Sequence, residues 1–174
     1  MTENSNGRLQ REMSINNIKK LSMNPHFYSL LIQAFLSGYN KTCDLKLVFM
    51  VLPFILNAES REKLITANIR SRIDTLFQSK QCISDVNISG KSVFAGYTER
   101  YALLKPYCNE VLIILFSEKK IIINNSKIEL IETIDYRNFK GFVGGWMRCA
   151  FYLGVIFSKA TNDQLSFILG VNIK

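Results

Sequence analysis

The sequence has little of what catalysis and metal binding require. It contains a single histidine, His26, and its four cysteines include no pair spaced as CxxC. General acid–base catalysis usually relies on histidine or paired carboxylates, and a zinc site needs closely spaced thiolate or imidazole ligands. The motifs GxxxxGK[ST], GxSxG and HExxH are also missing. We therefore expect no catalytic residues, no metal site and no cofactor, in a protein that is not an enzyme.

Two features that could suggest a reaction have simpler explanations. His26 follows Pro25 in the first turn of a predicted helix and has no partner pattern, which favours a structural or exposed side chain. The glycines between Gly141 and Gly145 lie within helical periodicity, whereas a dinucleotide-binding loop joins a strand to a helix. Neither feature predicts catalysis.

Long apolar runs and a secretion signal are likewise missing. The longest run, Leu47 to Leu56, is interrupted by Pro53, and the stretch from Phe142 to Phe157 contains Arg148. A membrane-spanning helix needs about 20 apolar residues. The polar N-terminus has no apolar signal region, and scattered cysteines suit a reducing compartment. We expect a cytoplasmic protein without a membrane partner.

What the sequence does have is a positive charge and a large apolar fraction. Its formal net charge is +8, and 48% of its residues are hydrophobic. The basic residues mostly stand singly, so an ordinary solvated surface explains them as well as a nucleic-acid-binding face does. A chain of this length can bury a core of its own. We predict one helical domain at residues 23–174, preceded by a polar leader at residues 1–22.

Capping residues and hydrophobic periodicity predict the first two helices. Asn24 and Pro25 suit the start of a helix whose apolar face runs from Phe27 to Phe35, and Gly38 suits its end. Asp44 suits the start of a second helix. That helix covers residues 45–56 and is kinked or ended by Pro53, with a buried strand at 45–51 as the alternative.

The rest of the chain is predicted to be helical, with one hairpin. Ser60 suits the start of a third helix that reaches about residue 78 and has its inner face at Ile65, Ile69, Ile73, Leu76 and Phe77. The further predicted elements are helices at 85–104 and, opened by Pro106, at 106–116, a β-hairpin at about 120–132, and helices at 136–158 and 162–169. The predicted fold is a compact, mainly α domain of about six helices with one β-hairpin.

The hairpin, which directly follows a helix, resembles the wing of a winged-helix unit, and this makes a DNA-binding regulator the alternative function. The helix at 106–116 would then be the recognition helix, yet it contains no Arg or Lys and would offer Tyr107, Asn109 and Glu110. A helix that enters a groove normally carries basic or amide residues. The wing carries three cations that could contact phosphates: Lys119, Lys120 and Lys127.

The glycine-rich helix near the C-terminus predicts close packing. Gly141, Gly145 and Gly154 stand at helical spacing, and each costs about 1 kcal/mol of intrinsic helix stability, which suggests a packing role. Packing within the core is the favoured interpretation. The alternative is a partner interface that uses Trp146 and Arg148, because Trp and Arg are enriched at binding hot spots.

Several short motifs, taken in their order and spacing, resemble one family. They are residues 24–27 (NPHF), 35–39 (FLSGY), 52–56 (LPFIL) with Arg61, 150–154 (AFYLG) and 167–171 (FILGV). This set is similar to the middle components of bacterial three-component ABC-ATPase conflict systems, whose elements read VLPLVLH…R and LG…F…LGV. Asn57 stands where that family often has histidine.

The resemblance implies a role and no reaction. It implies a non-enzymatic adaptor that couples an ABC-type ATPase to an effector component, both encoded nearby, in defence against phage or other invading DNA. No catalytic residues carry over. The closing motif adds Phe167, Leu169 and Val171 to Trp146 and Arg148 as candidate partner contacts.

Overall fold

The computed structural model describes residues 24–77 and 96–170, together with the backbone of residues 81–83 and 86–88. Its helices in this part are α1 (Pro25–Tyr39), α2 (Leu45–Val48), α3 (Val51–Ile55), α4 (Ala58–Ile65), α5 (Ile73–Phe77), α6 (Tyr97–Ser117), α7 (Gly141–Phe157) and α8 (Asn162–Leu169). Its strands are β1 (Cys43–Asp44), β2 (Gln81–Ile83), β3 (Val86–Ile88), β4 (Ile121–Asn124) and β5 (Lys127–Leu130). The predicted mainly α fold with a β-hairpin is confirmed, while the predicted leader at 1–22 lies outside the described residues.

The first helix begins where its sequence predicts. The Asn24 side chain accepts hydrogen bonds from two backbone N–H groups of the first turn, and Pro25 takes the first helical position. The predicted stop at Gly38 is wrong by a short distance, because Asn40 ends the helix in the left-handed conformation with φ 53°. Gly38 serves packing instead, since it lies buried where α1 meets α7.

The segment after Asp44 folds as two short helices, so the strand alternative for residues 45–51 is wrong. Asp44 caps α2 as predicted, by accepting a hydrogen bond from a backbone N–H of the first turn. The helix breaks around Met50, and Pro53 becomes the third residue of α3, where its missing N–H would have had no helical partner. The buried Tyr97 hydroxyl donates to the Met50 carbonyl at 3.0 Å and ties α6 to this break.

The third predicted helix is wrong in its start and its length. Asn57 caps α4, because its side-chain oxygen accepts a hydrogen bond from the Ser60 backbone N–H at 2.9 Å. The helix ends at Ile65. The chain then turns, with Asn68 and Ser71 side chains bonded to nearby backbone N–H groups, and such local bonds compete with a continued helix.

The turn changes which isoleucines face the core. Ile73 and Phe77 are buried as predicted, and Leu76 is half-buried against the core. Ile65 and Ile69 were predicted on the same inner face, yet both are exposed because the helix no longer connects them to α5.

The two helices predicted on either side of Pro106 are wrong as separate elements. The strands β2 and β3 pair antiparallel, and α6 then runs without interruption from Tyr97 to Ser117. Pro106 lies inside α6 on its exposed side. The carbonyl of Ala102, which a proline at this position leaves without a helical partner, also lies on the exposed side and can bond to water.

The predicted hairpin is confirmed and gains a third strand. β4 and β5 are joined by Asn125 and Ser126, both with positive φ (47° and 64°), which is the geometry of a two-residue type I′ turn. β1 pairs antiparallel with β5, so the strand order is β1-β5-β4 and β4 lies at an edge. The buried Ile121 and Ile128 attach this sheet to the hydrophobic core.

The centre of the core is the contact between α1 and α7, where two glycines let the backbones approach closely. A methyl group at Gly38 would lie 2.8 Å from the Phe151 carbonyl carbon, and one at Gly154 would lie 2.7 Å from the Tyr39 nitrogen. Both positions therefore exclude any side chain. Phe157, in the last turn of α7, packs edge to face on Phe35 of α1, with ring centroids 5.7 Å apart.

The last two helices are confirmed, although α7 begins later than predicted. A short 3₁₀ turn at Tyr136–Asn138 precedes it, and its first residue, Gly141, has a positive φ of 61°. Thr161 and Gln164 form a reciprocal capping box at the start of α8, and Gly170 ends that helix in the left-handed conformation. None of the helices in the described part of the chain has the length and apolar character needed to cross a membrane.

Candidate partner-binding surfaces

Large apolar side chains that remain exposed show where this molecule offers contact area. Grouped exposed apolar residues mark interaction surfaces more often than single ones do. In the described part of the chain they are Ile65, Ile69, Leu103, Ile113, Phe116, Ile122, Ile131, Phe142, Val143 and Phe167. The predicted candidates and these residues overlap only at Phe167.

Trp146 is half-buried and is held within the molecule. The Arg61 guanidinium lies over its ring, 4.0 Å from the centroid, and Phe27 of α1 meets it edge to face at 5.8 Å. Arg61 also donates a hydrogen bond to the Ile55 carbonyl at 2.7 Å, so it joins the end of α3 to α7. The exposed side chain beside this cluster is Phe142, whose ring centroid is 5.5 Å from that of Trp146.

Arg148 serves the end of a neighbouring helix. Its guanidinium donates hydrogen bonds to the carbonyls of Ile65 and Ala67, the latter at 2.9 Å, and lies over the Tyr152 ring at 4.8 Å. The last carbonyls of a helix lack intrahelical partners and carry partial negative charge, which a guanidinium satisfies. Arg148 thus closes the C-terminal end of α4, and its role as a partner contact stays a prediction.

The candidates in the closing motif lie in different environments. Phe167 is 90% exposed, whereas Leu169, two residues later on α8, is buried in the core. Val171 lies outside the described residues. Of these three candidates, Phe167 is therefore the one whose side chain is shown on the surface.

The three candidate cations of the hairpin are not brought together. Lys119 is exposed and follows the end of α6, and Lys120 forms an ion pair with Glu118 at 2.7 Å. In this ion pair Lys120 donates a hydrogen bond to the Glu118 carboxyl, and this bond lowers the pKa of that carboxyl. Lys127 lies next to the turn at the other end of the hairpin, opposite Asn124. The hairpin consequently presents separated charges of both signs.

Sequence reasoning missed the outward face of α6. Ile113 and Phe116 are exposed at 68% and 58%, and an open groove of about 530 Å³ runs between them and β4. We call this the α6 groove; it is lined by Asn109, Leu112, Ile113, Phe116 and Ile123. The signal was present, because Asn109, Ile113 and Phe116 repeat at i, i+4 and i+7 and share one helical face.

The described thiols do not form a reactive site. Cys43, Cys108 and Cys149 are free and buried. Burial raises the pKa of the Cys43 and Cys108 thiols to about 12 each, and it also raises that of Cys149. Within residues 24–77 and 96–170, no three His, Cys, Asp or Glu side chains are grouped so that they could hold a metal ion.

Comparison with known proteins supports the sequence resemblance. Residues 13–173 match the model of the family described as ABC-three component (ABC-3C) system Middle Component 3. No curated protein and no solved structure matches the chain. The family match covers nearly the whole sequence and includes every motif on which the resemblance rested. The chain therefore belongs to the ABC-three component system middle component 3 family.

Proposed function

We propose that this protein is a non-enzymatic adaptor. In this proposal it binds an ABC-type ATPase component and an effector component, and it couples the two in a prokaryotic system directed against phage or other invading DNA. The cytoplasm is the compartment we propose for it, with no membrane partner. The observation that carries the proposal is the family match, because a middle component of a three-component system has partner components to meet.

The chemistry of the described residues supports a binding role. The guanidinium groups of Arg61 and Arg148 bond to helix-end carbonyls, and the described thiols are buried with raised pKa values. These polar groups stabilise the fold. Large apolar side chains are exposed as well, among them Ile113, Phe116 and Phe142. Apolar and aromatic surface of this kind suits protein partners.

Co-purification tests the adaptor role. The tagged full chain is expressed together with the ATPase and effector components encoded beside it. We expect both to be retained with the chain after size-exclusion chromatography, and the ATPase–effector contact to be lost when the chain is omitted. A monodisperse chain that elutes without either component would contradict the proposal.

The alternative function is a winged-helix DNA-binding regulator. It is favoured by the position of the hairpin directly after α6, with a short strand, β1, completing the sheet. The exposed face of α6 argues against it, because Ile113 and Phe116 stand where phosphate or base contacts would be needed. A gel-shift titration at low salt tests it. Duplex binding that weakens steeply with salt and with replacement of Lys119, Lys120 and Lys127 would favour the regulator.

A further inference from the structure

The open edge of β4 carries backbone groups that face away from its sheet. In the hairpin, Asn124 and Lys127 flank a two-residue turn and form a hydrogen-bonded pair, as Ile122 and Glu129 do two residues further on. The backbone bond from Ile131 N–H to the Lys120 carbonyl, at 2.8 Å, continues the same alternation.

The alternation leaves the intervening residues of β4 directed outward. The N–H and C=O groups of Ile121 and Ile123 point to the open side, where no strand in the described part of the chain pairs with β4. An edge of this kind is a template for another extended chain, because the added backbone satisfies both groups.

An apolar groove borders this edge. The Ile123 side chain lies on the same side as Leu112, Ile113 and Phe116, and together with Asn109 they line the α6 groove. Alternate side chains of a strand point to one face, so an extended chain beside β4 would direct every second side chain into the groove. Backbone pairing and side-chain burial are thus available to the same occupant.

We propose that β4 and the α6 groove together bind a short extended segment of a partner protein, with apolar residues at alternate positions. The segment adds to the three-stranded sheet as a fourth strand beside β4. This inference rests on the proposed adaptor function, since the partner is the ATPase or the effector component. It specifies the surface and the form of the bound segment.

The size of the site favours a short segment over a second copy of the chain. The strand offers four residues and the groove five lining residues. A stable interface between two folded proteins uses about 20–30 residues on each side. A helix is also disfavoured, because its backbone N–H and C=O groups are already paired internally and cannot bond to Ile121 and Ile123.

Two kinds of variant test the two halves of the site. Ile123→Pro removes the outward N–H without removing a ladder bond, because proline is tolerated on the open side of an edge strand. Ile123→Thr is compared with it, because this variant also takes an apolar side chain out of the groove but keeps the N–H. The double variant Ile113→Ser with Phe116→Ser removes apolar side chains that are exposed, so the fold is retained. Ile69→Ser with Leu103→Ser is the matched control at two other exposed apolar residues.

The measurement is binding of the full-length chain to the purified ATPase and effector components. We expect Ile123→Pro and the Ile113→Ser/Phe116→Ser variant to bind one of them at least about tenfold more weakly. Ile123→Thr should bind more tightly than Ile123→Pro, and the Ile69→Ser/Leu103→Ser control should bind like the wild type. Amide hydrogen exchange followed by NMR should show new protection at Ile121 and Ile123 in the complex.

Each other outcome overturns a distinct claim. Normal binding by Ile123→Pro and by the Ile113→Ser/Phe116→Ser variant, or unchanged amide exchange at Ile121 and Ile123, overturns the proposed strand addition. The adaptor function is then unaffected. Concentration-dependent dimerisation that Ile123→Pro abolishes assigns the edge to a second copy and also overturns the inference. A wild-type chain that binds neither component overturns the adaptor function, and the inference falls with it.

Discussion

Gly154 and Gly145 of α7 lie in opposite surroundings. In the carboxyl half, Gly154 is buried against α1, and a methyl group there would overlap the Phe35 carbonyl. In the amino half, a methyl group at Gly144 would overlap the Phe139 carbonyl just before the helix, whereas Gly141 and Gly145 are exposed and a methyl group at either would meet nothing within 4 Å. The prediction that these three glycines serve close packing is thus right for Gly154 and wrong, within the described residues, for the other two.

The difference teaches that glycine spacing alone does not locate a helix contact. A glycine within a helix costs about 1 kcal/mol relative to alanine wherever it stands. At Gly154 the close approach of α1 offsets that cost, and Gly38 supplies the matching gap on the other helix. No described part of the chain packs against Gly145 to offset this cost. We therefore expect α7 to be more stable with alanine at this position.

The largest expected effect is at the buried contact. Gly154→Ala should lower the free energy of unfolding by about 3 kcal/mol, because the α1 backbone must move to accept the methyl group. Urea denaturation followed by circular dichroism measures the change. Gly38→Ala should be destabilised similarly, since its methyl group would meet the Phe151 carbonyl. Wild-type stability in both variants would show that α1 and α7 are not held together in this way.

The next effect is at the middle of α7. Arg148→Met should lower the free energy of unfolding by about 2 kcal/mol, because the carbonyls of Ile65 and Ala67 lose charge-assisted hydrogen bonds. Thermal unfolding measures the change in stability. Arg148→Lys keeps the charge but cannot donate two hydrogen bonds in the guanidinium geometry, so its stability should lie between those of the wild type and Arg148→Met. Unchanged stability combined with lost binding of the ATPase or effector component would instead identify Arg148 as a partner contact.

A smaller effect of opposite sign is expected in the amino half. Gly145→Ala should raise the free energy of unfolding by about 0.5–1 kcal/mol, because alanine is the better helix former and its methyl group meets open space. Gly141→Ala is the control, and it should be destabilising because Gly141 has a φ of 61°. Urea denaturation of both variants decides the matter. A loss of stability at Gly145→Ala would indicate that this half of the helix is packed after all.

The smallest effect is expected at the exposed aromatic residue of the amino half. Phe142→Ser should change the free energy of unfolding by no more than about 0.5 kcal/mol, because the side chain is 77% exposed. Thermal unfolding of the monomeric chain measures the change. A large loss would show that the contact between Phe142 and Trp146 stabilises the fold.

Local signals in the sequence predicted several elements correctly, although the Asn57 cap of α4 was missed. Asn24 capped the first helix because its side chain reaches N–H groups of the adjacent turn, and the hairpin turned at Asn125-Ser126, where Asn125 readily adopts positive φ. Where the outcome depended on distant packing, prediction failed. Pro106 is tolerated inside α6 because the Ala102 carbonyl, which it leaves without a helical partner, lies on the solvent-exposed side of the helix. Only the assembled fold decides which side is exposed.

The candidate site was predictable only in part. Trp146 and Arg148 were chosen for their residue types, yet both side chains bond or stack within the molecule. Ile113 and Phe116 are exposed because the opposite face of α6 packs on the core. Of the residues on this outward face, Asn109 was the one that the sequence predicted to lie on the surface. The outward backbone groups of β4 depend on β1 pairing with β5 instead of β4, which no local pattern indicates.

The pairing of distant segments has a consequence for how the protein is made. Both α1 with α7 and β1 with β5 join parts of the chain that are synthesised far apart in time. Closing such long loops is slow, and contacts of this kind form late in folding. While the ribosome is still adding residues, α1 has no α7 to cover its apolar face. We therefore expect the nascent chain to depend on chaperone protection until α7 has emerged, and folding to follow translation closely only from that point.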